Sequence, residues 1–188
     1  MSNLVSNGLS RSGTTAQRPT NAQIGQNYFD TDLGVDLIYT ADGWKPGGGI
    51  FAKEVTFTEV GGALTYTGSV AIPAGATLVD VIVYGEALWD NAGAVTMKVG
   101  LDGIDDDGFF TGVNLKATDL LAGESLSFDN AGGKAGADIA NSQVQRRYLA
   151  TARTLSGIIT TASTGGSAGR TRMTVIYSLP TVTAATSA

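Results

Sequence analysis

From residue 51 to residue 180 the chain repeats one pattern: short runs alternating large apolar residues with threonine, valine or serine, cut by glycine every ~8–12 residues. A period of two sends successive side chains to opposite faces of a strand, so each such run has one face to bury. Val55-Thr56-Phe57-Thr58 and Leu64-Thr65-Tyr66-Thr67 flank Gly61-Gly62, and Ser69-Val70-Ala71-Ile72 stops at the turn Pro73-Ala74-Gly75-Ala76. Leu78-Val79-Asp80-Val81-Ile82-Val83-Tyr84 is apolar and β-branched on both sides, as a central strand would be. Val95–Leu101 alternates again, and Leu126-Ser127-Phe128 is a further short strand. Leu155–Thr161 and Thr171–Tyr177 form a closing hairpin around residues 165–169. With no heptads and no alternation of helix with strand, the pattern predicts an all-β domain, a jelly-roll-like β-sandwich. Two stretches stay open: residues 111–123, with room for a helical turn before Gly123, and residues 138–149, which fit helix and strand equally.

Residues 13–46 have another texture. Tyr28-Phe29-Asp30-Thr31-Asp32-Leu33-Gly34 and Leu37-Ile38-Tyr39 read as a hairpin closed by Thr31–Gly34, and Asp42-Gly43 supplies a second turn before Trp44. So small a hairpin needs a partner surface for its apolar residues. Pro46-Gly47-Gly48-Gly49 then reads as a joint. The expected organisation is therefore an N-terminal arm and attachment hairpin over 1–46, a Gly-rich hinge at 47–50, the jelly-roll-like domain over 51–180 and a frayed tail over 181–188.

Composition removes most enzyme chemistry. The chain has 188 residues, no cysteine and no histidine, which excludes thiolate nucleophiles, Cys/His zinc sites and Ser-His-Asp triads. Gly132-Gly133-Lys134 fails as a phosphate loop because Phe128 stands where the pattern needs glycine and Ala135 where it needs Ser or Thr. No catalytic residue and no cofactor is assigned, and the chain is read as non-enzymatic. Residues 1–8 lack the basic and apolar regions of a secretory leader, so none is expected here, and no apolar run in the sequence is long enough for a membrane helix. The acidic loop Asp102-Gly103-Ile104-Asp105-Asp106-Asp107-Gly108 is a weak calcium candidate through Asp102, Asp105 and Asp107, since clustered oxygens suit a hard cation. It departs from the EF-hand template at both ends. Its other reading is an exposed inter-strand loop. Trp89, at a strand end, is expected in packing.

The net charge of −5 conceals a split. Residues 1–138 hold seven basic and seventeen acidic side chains, whereas residues 139–188 hold five arginines and no acid. Arg146, Arg147, Arg153, Arg170 and Arg172 are expected to pair with the acidic part, within the fold or across a subunit interface. With a sequence pI near 4.5, neither a nucleic-acid nor a membrane partner is expected.

The run Gly13-Thr14-Thr15-Ala16-Gln17-Arg18-Pro19-Thr20, then Gly25, Tyr28-Phe29-Asp30-Thr31-Asp32-Leu33-Gly34, Tyr39 and Gly43-Trp44 resembles a short module that recurs in tailed-bacteriophage virion proteins, both tail fibres and head-decorating proteins. The remaining body is similar in texture to the Gly/Thr/Ala-rich jelly-roll proteins that decorate phage capsids. The resemblance implies a virion structural protein, commonly a homotrimer. It points first to a capsid decoration or cement protein, made in the host cytoplasm and placed on the capsid surface. Its partners would then be the major capsid protein and itself, and Arg18, Pro19, Tyr28, Phe29, Asp32, Gly34, Tyr39 and Trp44 would be the attachment residues. The alternative is a tail-fibre or tail-tip module that binds a host receptor or glycan.

Overall fold

A computed structural model describes residues 11–41, 43–47, 49–140 and 147–179. Backbone proximity divides the chain into two compact units, one running to Gly49 and one spanning Ile50–Ser178. Parts of several expectations, namely most of the arm, Asp42, Gly48, Arg146 and the tail, lie outside the described residues.

The first unit is one small sheet of four strands in chain order: β1 (Arg11–Gly13), β2 (Asn27–Asp30), β3 (Val35–Thr40) and β4 (Gly43–Pro46). The β1–β2 pairing is parallel and the rest are antiparallel. The expected hairpin turn is closed by Gly34, whose φ of +68° is open to glycine at little steric cost and whose N–H donates to the Asp30 carbonyl at 2.7 Å. Alternation along β2 and β3 sends Tyr28, Asp30, Val35 and Leu37 to the buried face and Phe29, Asp36 and Ile38 to the other.

The second unit is a sandwich of two antiparallel sheets. Its strands are β5 (Ile50–Thr58), β6 (Thr65–Ile72), β7 (Ala76–Ala87), β8 (Val95–Leu101), β9 (Asp105–Asn114), β10 (Ser125–Leu126), β11 (Tyr148–Leu149), β12 (Arg153–Thr161) and β13 (Arg170–Ser178), with a single-turn helix α1 (Ala137–Ala140). One sheet has the order β10-β7-β13-β5, with β11 also on β7, and the other has the order β6-β12-β8-β9. The first long strand thus pairs with the last, the second with the next to last, and the middle strands nest inside, which is jelly-roll topology. The all-β sandwich expected from the alternation is the observed fold class.

The core lies between the sheets. A side chain at Gly157 of β12 would meet Phe57 at 2.7 Å and Met173 Sδ at 3.3 Å from the facing sheet and Met97 Cε at 2.8 Å from the neighbouring strand, so the facing sheet presses close at this glycine. Val81, Val83, Met97, Val99, Leu155, Ile159, Met173 and Val175 are buried around it. The sequence broke β6 at Gly68, but the strand runs through, because Val55 and Phe57 of β5 fill the space a side chain there would take. Residues 105–114 are the larger difference. The inter-strand loop expected over residues 102–108 ends at Ile104, and Asp105–Asn114 form a ten-residue strand hydrogen-bonded to β8, with the register shifted twice. Phe109, Phe110 and Val113 supply its buried residues without period-two spacing, so the alternation test could not find it.

Candidate functional site

In the first unit the motif residues build their own frame. Asp30, at the end of β2, is fully buried. Its carboxylate accepts hydrogen bonds from Arg18 Nε at 2.6 Å, Thr15 Oγ1 at 2.9 Å and the N–H groups of Asp32 and Leu33 at 3.0 and 2.9 Å. Burial works against its ionisation, but the Leu33 N–H, the Arg18 guanidinium and the Thr15 hydroxyl outweigh it and hold the carboxyl below the ordinary carboxylate range. Asp32 accepts the N–H of Thr15 at 2.9 Å, the Tyr28 hydroxyl donates to the Thr14 carbonyl at 2.9 Å, and Trp44 Nε1 donates to the Pro19 carbonyl at 3.2 Å. The Trp44 ring lies 5.6 Å from that of Tyr28 and 5.2 Å, edge-on, from that of Tyr39. Gly13 has no room for a side chain, with Tyr28 Oη 2.6 Å from the position a Cβ would take.

Of the eight expected attachment residues, Arg18, Pro19, Tyr28, Asp32, Gly34, Tyr39 and Trp44 thus serve the frame. Phe29 points outward, 37% exposed, and Ile38, diagonal to it across the β2–β3 pairing, is 39% exposed. The residues facing them are Asp36, opposite Phe29, and Lys45, opposite Ile38. Ile38 was not singled out from sequence; the signal for it was present in the period of two once the register was known.

At one end of the sandwich the loops after β5, β7 and β12 meet around a buried carboxylate. Glu59 is 2% exposed, and its Oε2 accepts the N–H of Gly169 at 2.9 Å and that of Asp90 at 3.2 Å. Asp90 accepts the N–H groups of Ser167 and Ala168, at 2.8 and 3.2 Å, and these two amides, Ser167 first, hold its carboxyl low. Trp89 beside it is 1% exposed, donates Nε1–H to Thr171 Oγ1 at 2.9 Å and meets Tyr66 edge-on, so it is packed as expected and its ring is closed to a ligand. This centre was missed in the sequence because the three loops are brought together only by the topology.

The opposite end gathers the loops after β6, β8 and β11. Here the acidic run divides. Carboxylate oxygens of Asp105, Asp106 and Asp107 lie within 4.8 Å of one another, without Asp102. Asp106 is taken by Lys98 Nζ at 2.5 Å and Asp107 by the Thr111 hydroxyl at 3.0 Å. The Asp107 carboxyl is held low by a hydrogen bond with Asp105 and then by Thr111. Asp102 instead lines a cleft beside Arg153.

The arginines divide too. Arg170 and Arg172 on β13 both face Glu86 of β7, at 2.7 and 3.6 Å, and Arg172 lies over the Tyr84 ring. The Arg147 guanidinium lies 4.7 Å above the Phe128 ring. Arg153 has no hydrogen-bond or ion-pair partner for its side chain among the described residues.

No family model and no curated protein matches the chain. Among solved structures the chain is similar to three capsid structures. For the acidic stable capsid of Helicobacter pylori bacteriophage KHP30 the identity is 14%, over 72% of this chain and 92% of that one, with a TM-score of 0.47. For the capsid asymmetric unit of cyanophage Pam1 the identity is 20%, over 72% and 90%, with a TM-score of 0.45. For the capsid of Ralstonia phage GP4 it is 17%, over 73% and 90%, with a TM-score of 0.43.

Proposed function

We propose that this chain is a non-enzymatic structural protein of a tailed-phage virion that decorates the outer capsid surface and stabilises the head as a symmetric oligomer, a homotrimer. The observation that carries the reading is the first unit. Its Arg-Pro, Tyr-Phe-Asp-Thr-Asp-Leu-Gly and Gly-Trp elements, similar to a module of virion proteins, close into a hydrogen-bonded frame around the Arg18–Asp30 pair. That frame presents Phe29 and Ile38 outward on one face of a four-stranded sheet. Apolar side chains held on a rigid sheet face are suited to docking, with the jelly-roll unit as the bulk of the decoration. Many copies on one shell would stabilise it by mass action, each weak contact reinforced by the oligomer.

The test is co-sedimentation of the full-length protein with heads that lack it, read by electron microscopy for its position. Binding in many copies to the head is expected. Phe29→Lys, which places a charge on the outward face where Asp36 stands opposite as a counter-charge, should weaken head binding at least tenfold. Failure to bind heads, together with adsorption to host cells, would overturn the reading in favour of a tail receptor-binding module.

A further inference from the structure

The end of the sandwich that carries Arg153 has features no internal role absorbs. A cleft of about 450 Å³ is floored by Leu101 and Leu149 and walled by Ile104, Tyr148 and Arg153. A second cleft of about 270 Å³ shares Arg153 with it and adds Asp102. Tyr148 is 64% exposed and Ile104 47%, so both present apolar surface to solvent at the mouth of the cleft. Neither Arg153 nor Asp102 has an ion-pair partner among the described residues, although the other arginines of the described C-terminal segment are engaged by Glu86 or Phe128. One small patch therefore carries a spare cation, a spare anion and two apolar anchors.

We infer that this patch is a homotypic interface between copies of this chain, in which Arg153 of one copy faces Asp102 of the next while Tyr148 and Ile104 pack around the symmetry axis. A patch bearing both signs of charge beside its own apolar residues is complementary to itself. Each copy gives one guanidinium and accepts one, so the contacts close in a ring without leaving a charge over. A ligand carrying one sign of charge would leave either Arg153 or Asp102 unpaired, whereas a second copy offers a counter-charge to both. The inference deepens the oligomer part of the proposed function by naming the surface, and it is read on the purified full-length chain, apart from any head.

The experiment is sedimentation equilibrium with circular dichroism as the control of fold. The wild-type chain should self-associate, and less so as salt is raised, because exposed charge contacts are screened. Arg153→Asp and Asp102→Arg should each weaken association at least tenfold, since like charges then face each other, and the double swap in one chain should restore it to within about threefold. Tyr148→Ser should weaken it without changing the salt dependence. A monomeric wild-type chain would overturn both this interface and the oligomer reading. An oligomer unaffected by the single swaps, or not rescued by the double swap, would overturn this interface alone. A monomeric wild type whose Tyr148 resonances shift with glucuronic acid or a Glu-Phe dipeptide would assign the cleft to a foreign ligand and overturn the inference.

Discussion

At the scale of single residues, Asp30 is the clearest case of a motif residue whose role is internal. Its carboxylate is buried and meets the Arg18 guanidinium at 2.6 Å. Removing one partner of such a pair leaves the other charge uncompensated, so Arg18→Leu should destabilise the first unit by about 3 kcal/mol. Loss of the Trp44 indole N–H resonance at lower urea than in wild type would register it. Because the folded-state Asp30 carboxyl ionises below its ordinary value, its ionised form stabilises the unit at pH above about 4. That contribution is lost as pH falls through the lowered value. Asp30→Asn should therefore be less stable than wild type at neutral pH and show a flatter loss of stability in acid, followed by the same resonance. The ingredients, Arg-Pro and Tyr-Phe-Asp-Thr-Asp, were legible in the sequence. What they bind was not, since a surface motif and a buried frame are written with the same residues and only burial tells them apart.

Among elements, the β8–β9 pairing and the Glu59 loop centre hold the two ends of the sandwich. The position a Cβ would take at Gly100 lies 2.0 Å from the Asp105 carbonyl oxygen and 2.8 Å from Asp107 N. These are backbone atoms, which cannot rotate away, so Gly100→Ala must separate β9 from β8. A cost of about 3 kcal/mol is expected, measured as a lower urea midpoint with amide exchange gained in β9 before β7. At the other end, Glu59→Ala would leave the N–H groups of Gly169 and Asp90 without their acceptor. About 2 kcal/mol should be lost, with the near-ultraviolet signal of Trp89 altered. β5, β7, β8, β12 and β13 were visible as alternating or β-branched runs, whereas β9 was hidden because Phe109 and Phe110 are adjacent and both buried. A bulged strand breaks the period of two that identifies strands, so its acidic start read as a loop.

For the molecule as a whole, the charge split resolves into two different fates. Arg170 and Arg172 come from the acid-free C-terminal segment and fold onto Glu86 within the same sheet, because the last strand of a jelly roll pairs beside the third. Arg153, from the same segment, reaches the far end of the sandwich and lines a cleft with Asp102 without forming an ion pair among the described residues. Sequence alone determined the all-β class, the separate texture of the first 46 residues and the lack of Cys and His chemistry, since these follow from local periodicity and from which residue types are present. Only the tertiary structure decided which arginines were spent internally, that Trp89 is packed and Phe29 open, and that Glu59 joins three loops. Each of these depends on contacts between residues far apart in the chain, and those are fixed by the order of strands in the sheets and not by any local pattern.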